Sequence, residues 1–393
     1  MNEWKRQTQA IRTQADVSSH REHSVPMFLT SSFVFDDSEE MRAAFAGDIQ
    51  RNLYSRFTNP NVAELSEKIR LMEGAEAGHS TATGMAAVFA TLGALCSAGD
   101  HILACRSLFG ATHTILTKIL PKWGITHTYV DAANPQGWSD GIQDNTRLIF
   151  IETPTNPAVD VIDLEPLGQL AAEKDVILVV DNCLATPALQ RPLELGAHIS
   201  LHSATKYIDG QGRVMGGVVV GSGDLIQEIY DFARATGPAL SPFNAWVLSK
   251  SVETLELRME KHSQNAMELA QWLESHSTPA SVRYPFLPSH PQYEIAKRQM
   301  SAGGGVVTFT LDGSLEHGKR FMDSIEMCSL TANLGDTRSI VSHPSSTTHA
   351  KLTEEERQAV GITPGLIRIS VGLEDMRDVI RDVEQALEKV TAL

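Results

Sequence analysis

Short aliphatic runs alternate with amphipathic segments between residues 61 and 250, and no other feature of the chain limits its fold as strongly. HILAC, RLIFIE, VILVVDN, HISLHS and GGVVVG have the length and β-branched content of buried strands. Helical patterns such as NVAELSEKIRLMEG, with Val62, Leu65, Ile69 and Met72 on one face and Gly74 as its stop, lie among them. Strands without polar alternation are covered on both faces, so the pattern predicts an α/β fold with a mostly parallel central sheet. Ligands then bind outside the carboxyl ends of the strands.

The chain divides into three parts. Residues 1–60 mix polar runs with VPMFLTSSFVF and RNLYSRFTNPN and read as an extended arm that needs a neighbouring subunit to lie on. Residues 61–250 form the larger domain. A long helix over Phe243 to about Leu273 leads into residues 251–393, where GGGVVTFTL, IRISVGL and MRDVIRDVEQALEKV predict a smaller C-terminal α+β domain. At 393 residues, two domains are the expected number. A net charge of −15 repels phosphate backbones and anionic lipid, which argues against nucleic acid and membrane as partners. Cys96, Cys105, Cys183 and Cys328 are scattered without a CxxC pair, which fits a reducing compartment. The opening MNEWKRQTQA lacks an apolar leader core, so the cytoplasm is the expected location.

Two strand ends carry the chemistry. SATKYIDGQGRVMGG follows HISLHS, which puts Ser203, Thr205 and Lys206 at a strand's carboxyl end before a glycine-rich loop. Desolvation frees a lysine amine for Schiff-base chemistry, and the two hydroxyls can hold a phosphate. VILVVDN ends on Asp181, a carboxylate that needs a cation there, and a protonated pyridine nitrogen is one. A surface lysine and a turn-capping aspartate remain the simpler explanations of each residue alone. Their combination, 25 residues apart, points to pyridoxal phosphate (PLP).

Other segments fit a phosphorylated aromatic cofactor. HSTATGMAAVFATLGAL opens an Ala-rich helix at Gly84, whose N-terminus attracts an anion, although a threonine before a helix is commonly only a cap. Phe109 in SLFGATH can lie on an aromatic ring or simply fill core. Tyr54 and Arg56 can hold phosphate oxygens from the arm. Arg368, inside the apolar run LIRISVGL, needs an anion: a substrate carboxylate or a structural acid. Cys183 lies two residues beyond Asp181, on the same face if the strand continues, where it can approach the cofactor pocket or simply be a small buried side chain. His343 and His349 have no metal-ligand spacing, and no metal is expected.

These segments in this order, with ETPTNP and NLGD between them, resemble the Cys/Met-metabolism family of PLP enzymes, also called the cystathionine γ-synthase family. The resemblance implies a type I, aspartate aminotransferase-like fold. It implies that Lys206 binds PLP covalently and moves protons, that Asp181 pairs with the ring nitrogen, and that Phe109 stacks on the ring. Gly84, Met85, Ser203 and Thr205 would hold the phosphate from their own subunit, with Tyr54 and Arg56 reaching in from the adjacent one. Arg368, with Asn156 and Asn333, would clamp the substrate carboxylate. A homotetramer built from catalytic dimers is the implied assembly. Within the family the likeness is greatest to enzymes that convert O-succinyl-L-homoserine and sulfide to L-homocysteine and succinate. The acetyl ester, cysteine as nucleophile, γ-elimination of methionine and a PLP-binding sensor stay open. Two departures matter: Phe109 stands where many relatives carry Tyr, and Asn333 where many carry Ser.

Overall fold

The structure, a computed structural model, describes residues 4–391 other than 133, 349, 351, 352 and 359; His349 therefore lies outside the described residues. Seven strands make the larger sheet: β1 (Ala77–Thr81), β2 (His101–Cys105), β3 (Thr126–Val130), β4 (Thr146–Glu152), β5 (Ile177–Asp181), β6 (Ile199–Ser203) and β7 (Gly217–Gly221). Their order is β1-β7-β6-β5-β4-β2-β3. The five strands from β6 to β3 are parallel, while β7 runs antiparallel to both β6 and β1. Alternate residues of β7 enter different cores: Val219 joins one cluster, Val218 and Val220 the other. Such two-sided burial is what an unbroken apolar run requires.

The strand order reverses between β2 and β4, which makes their carboxyl ends the crevice of this sheet. Sequence patterning reaches the strands buried on both faces. It misses the mixed β1 (AGHST) and β3 (THTYV), whose positions come from pairing and not from composition.

A second, five-stranded sheet contains β8 (Pro279–Arg283), β9 (Val306–Leu311), β10 (Ser329–Leu330), β11 (Ile340–Ser342) and β12 (Leu366–Ser370), in the order β10-β11-β12-β9-β8. Val307, Phe309, Val341, Ile367 and Ile369 pack with Leu269, Phe321 and Val383 of the covering helices. The opposite face carries Ser342, Arg368 and Thr308 as register partners in one row.

The long helix expected from Phe243 onward is two helices, Pro242–Val252 and Leu255–Ser275. Thr254 Oγ1 and Arg258 Nη2 both donate to the Ser251 carbonyl, at 3.2 and 2.9 Å. That carbonyl is thereby withdrawn from the continuing helical ladder, and Arg258 goes on to bind the Tyr207 carbonyl at 2.6 Å. The first sixty residues hold two short helices, Arg6–Arg12 and Ser38–Ala46, and are strapped down where Phe28 N–H donates to Asn61 Oδ1 at 2.8 Å. Leu29 and Val34 there are 65% and 88% exposed. Among the described residues no helix is long and apolar enough to cross a membrane.

Gly335 joins the two sheets. Its φ is +76°, and a Cβ would lie 2.7 Å from Tyr207 N. Gly335→Ala is expected to destabilise the protein by about 1–3 kcal/mol, read as a lower denaturant midpoint. A variant as stable as the parent would contradict this packing.

Candidate active site

The cavity opens where these strand ends predict. Gly84, Met85, Phe109, Asn156, Asp181, Ser203, Lys206 and Arg368 all line it. Local sequence explains how each arrives. β5 ends on Asp181 and β6 on Ser203, and a tight turn follows in which Lys206 N–H donates to the Ser203 carbonyl at 3.1 Å. The Gly84–Leu95 helix starts at the cavity, with Thr83 capping Ala86 N–H at 3.0 Å. A Cβ on Gly84 would lie 2.6 Å from Ser203 Cβ, so only glycine lets this helix end approach β6 so closely.

Lys206 Nζ donates to Asn333 Oδ1 at 2.6 Å. Arg368, 5% exposed, donates from Nη1 to Asn156 Oδ1 and from Nη2 to the Asn333 carbonyl, both at 2.9 Å. Asn333 therefore spans the amine and the guanidinium. Arg368 Nε and the flanking buried hydroxyls of Ser342 and Thr308 have no hydrogen-bond partner. Three buried polar groups along one row are poorly satisfied without an anion or water.

Lys206, Arg368, Asp181 and Glu152 are each pushed toward the neutral form. Burial lowers the Lys206 amine below its ordinary range, the Cys183 thiol beside it opposes this, and Arg368 adds to it. Burial brings Arg368 down to about 10. Burial raises Asp181 to about 6, against the Cys183 N–H that donates to its Oδ1 at 3.1 Å. Glu152 is pushed well above the carboxylate range by burial and then by Asp181, while the N–H groups of Phe109 and Asn156 oppose the shift.

Four of the sequence-predicted residues do not line this cavity. Asn333 reaches it through Lys206. The Thr205 hydroxyl exchanges bonds with the Gly216 N–H and carbonyl at 3.2 and 3.3 Å. Tyr54 is 42% exposed, and Arg56 bonds the Arg234 carbonyl with its guanidinium 4.6 Å from the Phe57 ring centre. Within one chain these two arm residues stand apart from Lys206. His343 is buried, bonding Ser346 Oγ at 2.8 Å and the Pro364 carbonyl at 2.7 Å, which is a structural role. Cys183 does line the cavity, its Sγ 3.8 Å from the Ser203 carbonyl. Sequence reasoning passed over Glu152 and His202, which also line it. Glu152 ends its apolar strand just as Asp181 does, a signal that was available.

In protein freed of small molecules, Asp181→Asn is expected to raise the melting temperature by a few degrees at pH 8. The folded-state pKa lies above the ordinary 3.8, so the ionised carboxylate costs stability above about pH 6 and not once it is protonated. The gain should therefore shrink as pH falls through 6. Thermal melts between pH 5 and 8 check this, and a gain independent of pH would contradict the burial.

Comparison with known proteins places this geometry. The sequence model of the Cys/Met metabolism PLP-dependent enzymes matches residues 7–388. An O-succinylhomoserine sulfhydrylase from Pseudomonas aeruginosa is 46% identical over 97% of this chain and 94% of its own. An L-methionine gamma-lyase from Porphyromonas gingivalis is 41% identical over 93% of each. A Campylobacter jejuni crystal structure, provisionally named an O-acetylhomoserine (thiol)-lyase and carrying N'-pyridoxyl-lysine-5'-monophosphate, superposes with a TM-score of 0.94 at 33% identity, covering 98% of this chain and 100% of that one. The chain belongs to the Cys/Met metabolism family of PLP-dependent enzymes.

Proposed function

We propose that this enzyme is an O-succinylhomoserine sulfhydrylase, which replaces the γ-succinyl group of O-succinyl-L-homoserine with sulfide to give L-homocysteine and succinate. The observation that carries the site reading is Asn333, which accepts from Lys206 Nζ and, through its carbonyl, from Arg368. That spacing suits the amine and carboxylate of one α-amino acid. The choice of ester and nucleophile rests on the greater likeness to the Pseudomonas aeruginosa sulfhydrylase than to the Porphyromonas gingivalis lyase.

The residues fit PLP. The glycine-cleared helix end at Gly84 and Met85, with Ser203 against it, suits a phosphate. Thr205, whose hydroxyl now bonds the Gly216 backbone, would join them in holding it. Asp181, destabilised by burial while unpaired, suits a cationic ring nitrogen. Phe109, 45% exposed over the cavity, suits a ring face. When bound, PLP supplies an electron sink for negative charge at the α- and β-carbons of the substrate.

The protein's own groups account for the remaining chemistry. Arg368 binds the α-carboxylate, displacing its bond to Asn156 or adding to it through the unpaired Nε. Lys206, its pKa lowered by burial, takes the Cα proton as the free amine. Removal of a second proton, from Cβ, lets succinate leave from Cγ. Sulfide adds at Cγ, and the protons return to Cβ and Cα. Phe109 has no proton to transfer, so Lys206 carries this work. Asp181 keeps the proton on the ring nitrogen throughout.

Tyr54 and Arg56 complete the phosphate site of the adjacent subunit in this reading, and the exposed apolar residues Leu29 and Val34 lie on that neighbour. The assembly is then a catalytic dimer, paired into a homotetramer, in the cytoplasm.

Purified enzyme given O-succinyl-L-homoserine with sulfide should yield homocysteine. Cystathionine formed with cysteine as the preferred nucleophile would make it a synthase. 2-Oxobutanoate in every mixture would instead favour a methionine γ-lyase, like the Porphyromonas gingivalis relative. Lys206→Ala should lose more than the roughly 10²–10⁴-fold due to a positioned base alone. Turnover near the parent's would overturn the assignment of Lys206.

A further inference from the structure

Two carboxylates end adjacent strands at this cavity, and the proposed reaction uses only one. Glu152 on β4 is the register partner of Asp181 on β5, is 4% exposed and lines the cavity. A second buried acid beside the first is costly, since like charges disfavour each other's ionised forms. Its bonds show what the position gains. Glu152 Oε2 accepts from Phe109 N–H at 2.9 Å, across the crevice between β2 and β4. Glu152 Oε1 accepts from Asn156 N–H at 3.0 Å, on the turn leaving β4. Asn156 in turn accepts from Arg368 Nη1 at 2.9 Å.

One carboxylate therefore holds the backbone of the residue facing the ring and the backbone of the residue that orients the guanidinium. Only a carboxylate presents two acceptors to two converging N–H groups. A glutamine turns an NH₂ group toward one of them and leaves that buried donor unpaired.

We propose that Glu152 is a positioning residue that couples Phe109 to the Asn156–Arg368 clamp, so that occupation of the clamp by a substrate carboxylate fixes Phe109 against the ring. This inference rests on the proposed roles of Phe109 and Arg368. Glu152 itself touches neither the ring nor the substrate in this account. It acts through the two amides it holds, and the coupling runs from β12 through the turn after β4 to the turn after β2.

Amide hydrogen exchange on the PLP-loaded enzyme tests it. Glu152→Gln should speed exchange by about tenfold, the loss of one hydrogen bond, in whichever of the 107–110 and 153–157 segments faces the NH₂ group. L-Norvaline, an amino acid without a γ-leaving group, should alter the visible absorbance of parent and variant alike. It should slow exchange at 107–110 in the parent and not in Glu152→Gln. Should that variant fail to fold, Glu152→Asp, too short to span both amides, should give the same two results. Equal protection of 107–110 by norvaline in parent and variant would overturn the coupling, as would unchanged exchange at both segments in the ligand-free variant. A parent whose absorbance ignores norvaline would instead overturn the amino-acid reading of the site, while the ligand-free exchange still decides whether Glu152 holds these segments.

Discussion

Keeping ionisable groups out of water costs free energy that a partner of opposite charge, or hydrogen bonds to the charged form, must offset. Lys206, Arg368, Asp181 and Glu152 share one cavity at the carboxyl edge of a parallel sheet, and burial pushes each toward its neutral form. A fold optimised for stability alone would place apolar residues there. The arrangement is intelligible if a ligand supplies what the protein withholds: an anion for Arg368 and the hydroxyls beside it, and a cation for Asp181.

Much of the remaining structure keeps that cavity in shape. The break between Pro242–Val252 and Leu255–Ser275 aims Arg258 at the carbonyls of Tyr207 and Ile208, which fixes the turn after Lys206. Gly335 packs against the backbone of Lys206 and Tyr207, which brings Asn333 to the lysine amine. β12 delivers Arg368 from the second sheet to meet Asn156 from the first. The site is therefore a joint between two sheets, and changes at the joint act on chemistry without touching a reactive atom.

How legible each part was in the sequence follows from the range of its interactions. Asp181 and Lys206 stand out as a pair, because one ends an apolar strand and the other follows one by three residues, although each alone has a simpler explanation. The parallel core was readable for the same reason: β2, β4, β5 and β6 are buried on both faces and carry unbroken apolar runs. β1 and β3 were not, since their residues are mixed and their place is set by neighbours far along the chain. Glu152 had the same local signal as Asp181, but its meaning depends on Phe109, 43 positions away. The broken helix was hidden because Arg258 withdraws a carbonyl by a side-chain bond that no hydrophobic period encodes. Asn156 and Asn333 carry no signal in the pattern and are singled out by the family resemblance alone; the structure bonds both to Arg368.

Everything proposed for the site turns on Lys206 being the lysine that carries PLP. Reducing the yellow, cofactor-loaded enzyme with borohydride fixes the cofactor to its lysine, and peptide mass mapping then locates it. The account predicts one phosphopyridoxyl adduct, on the peptide containing Lys206. An adduct on another lysine, such as Lys68 or Lys250, or none on the parent enzyme, would contradict it.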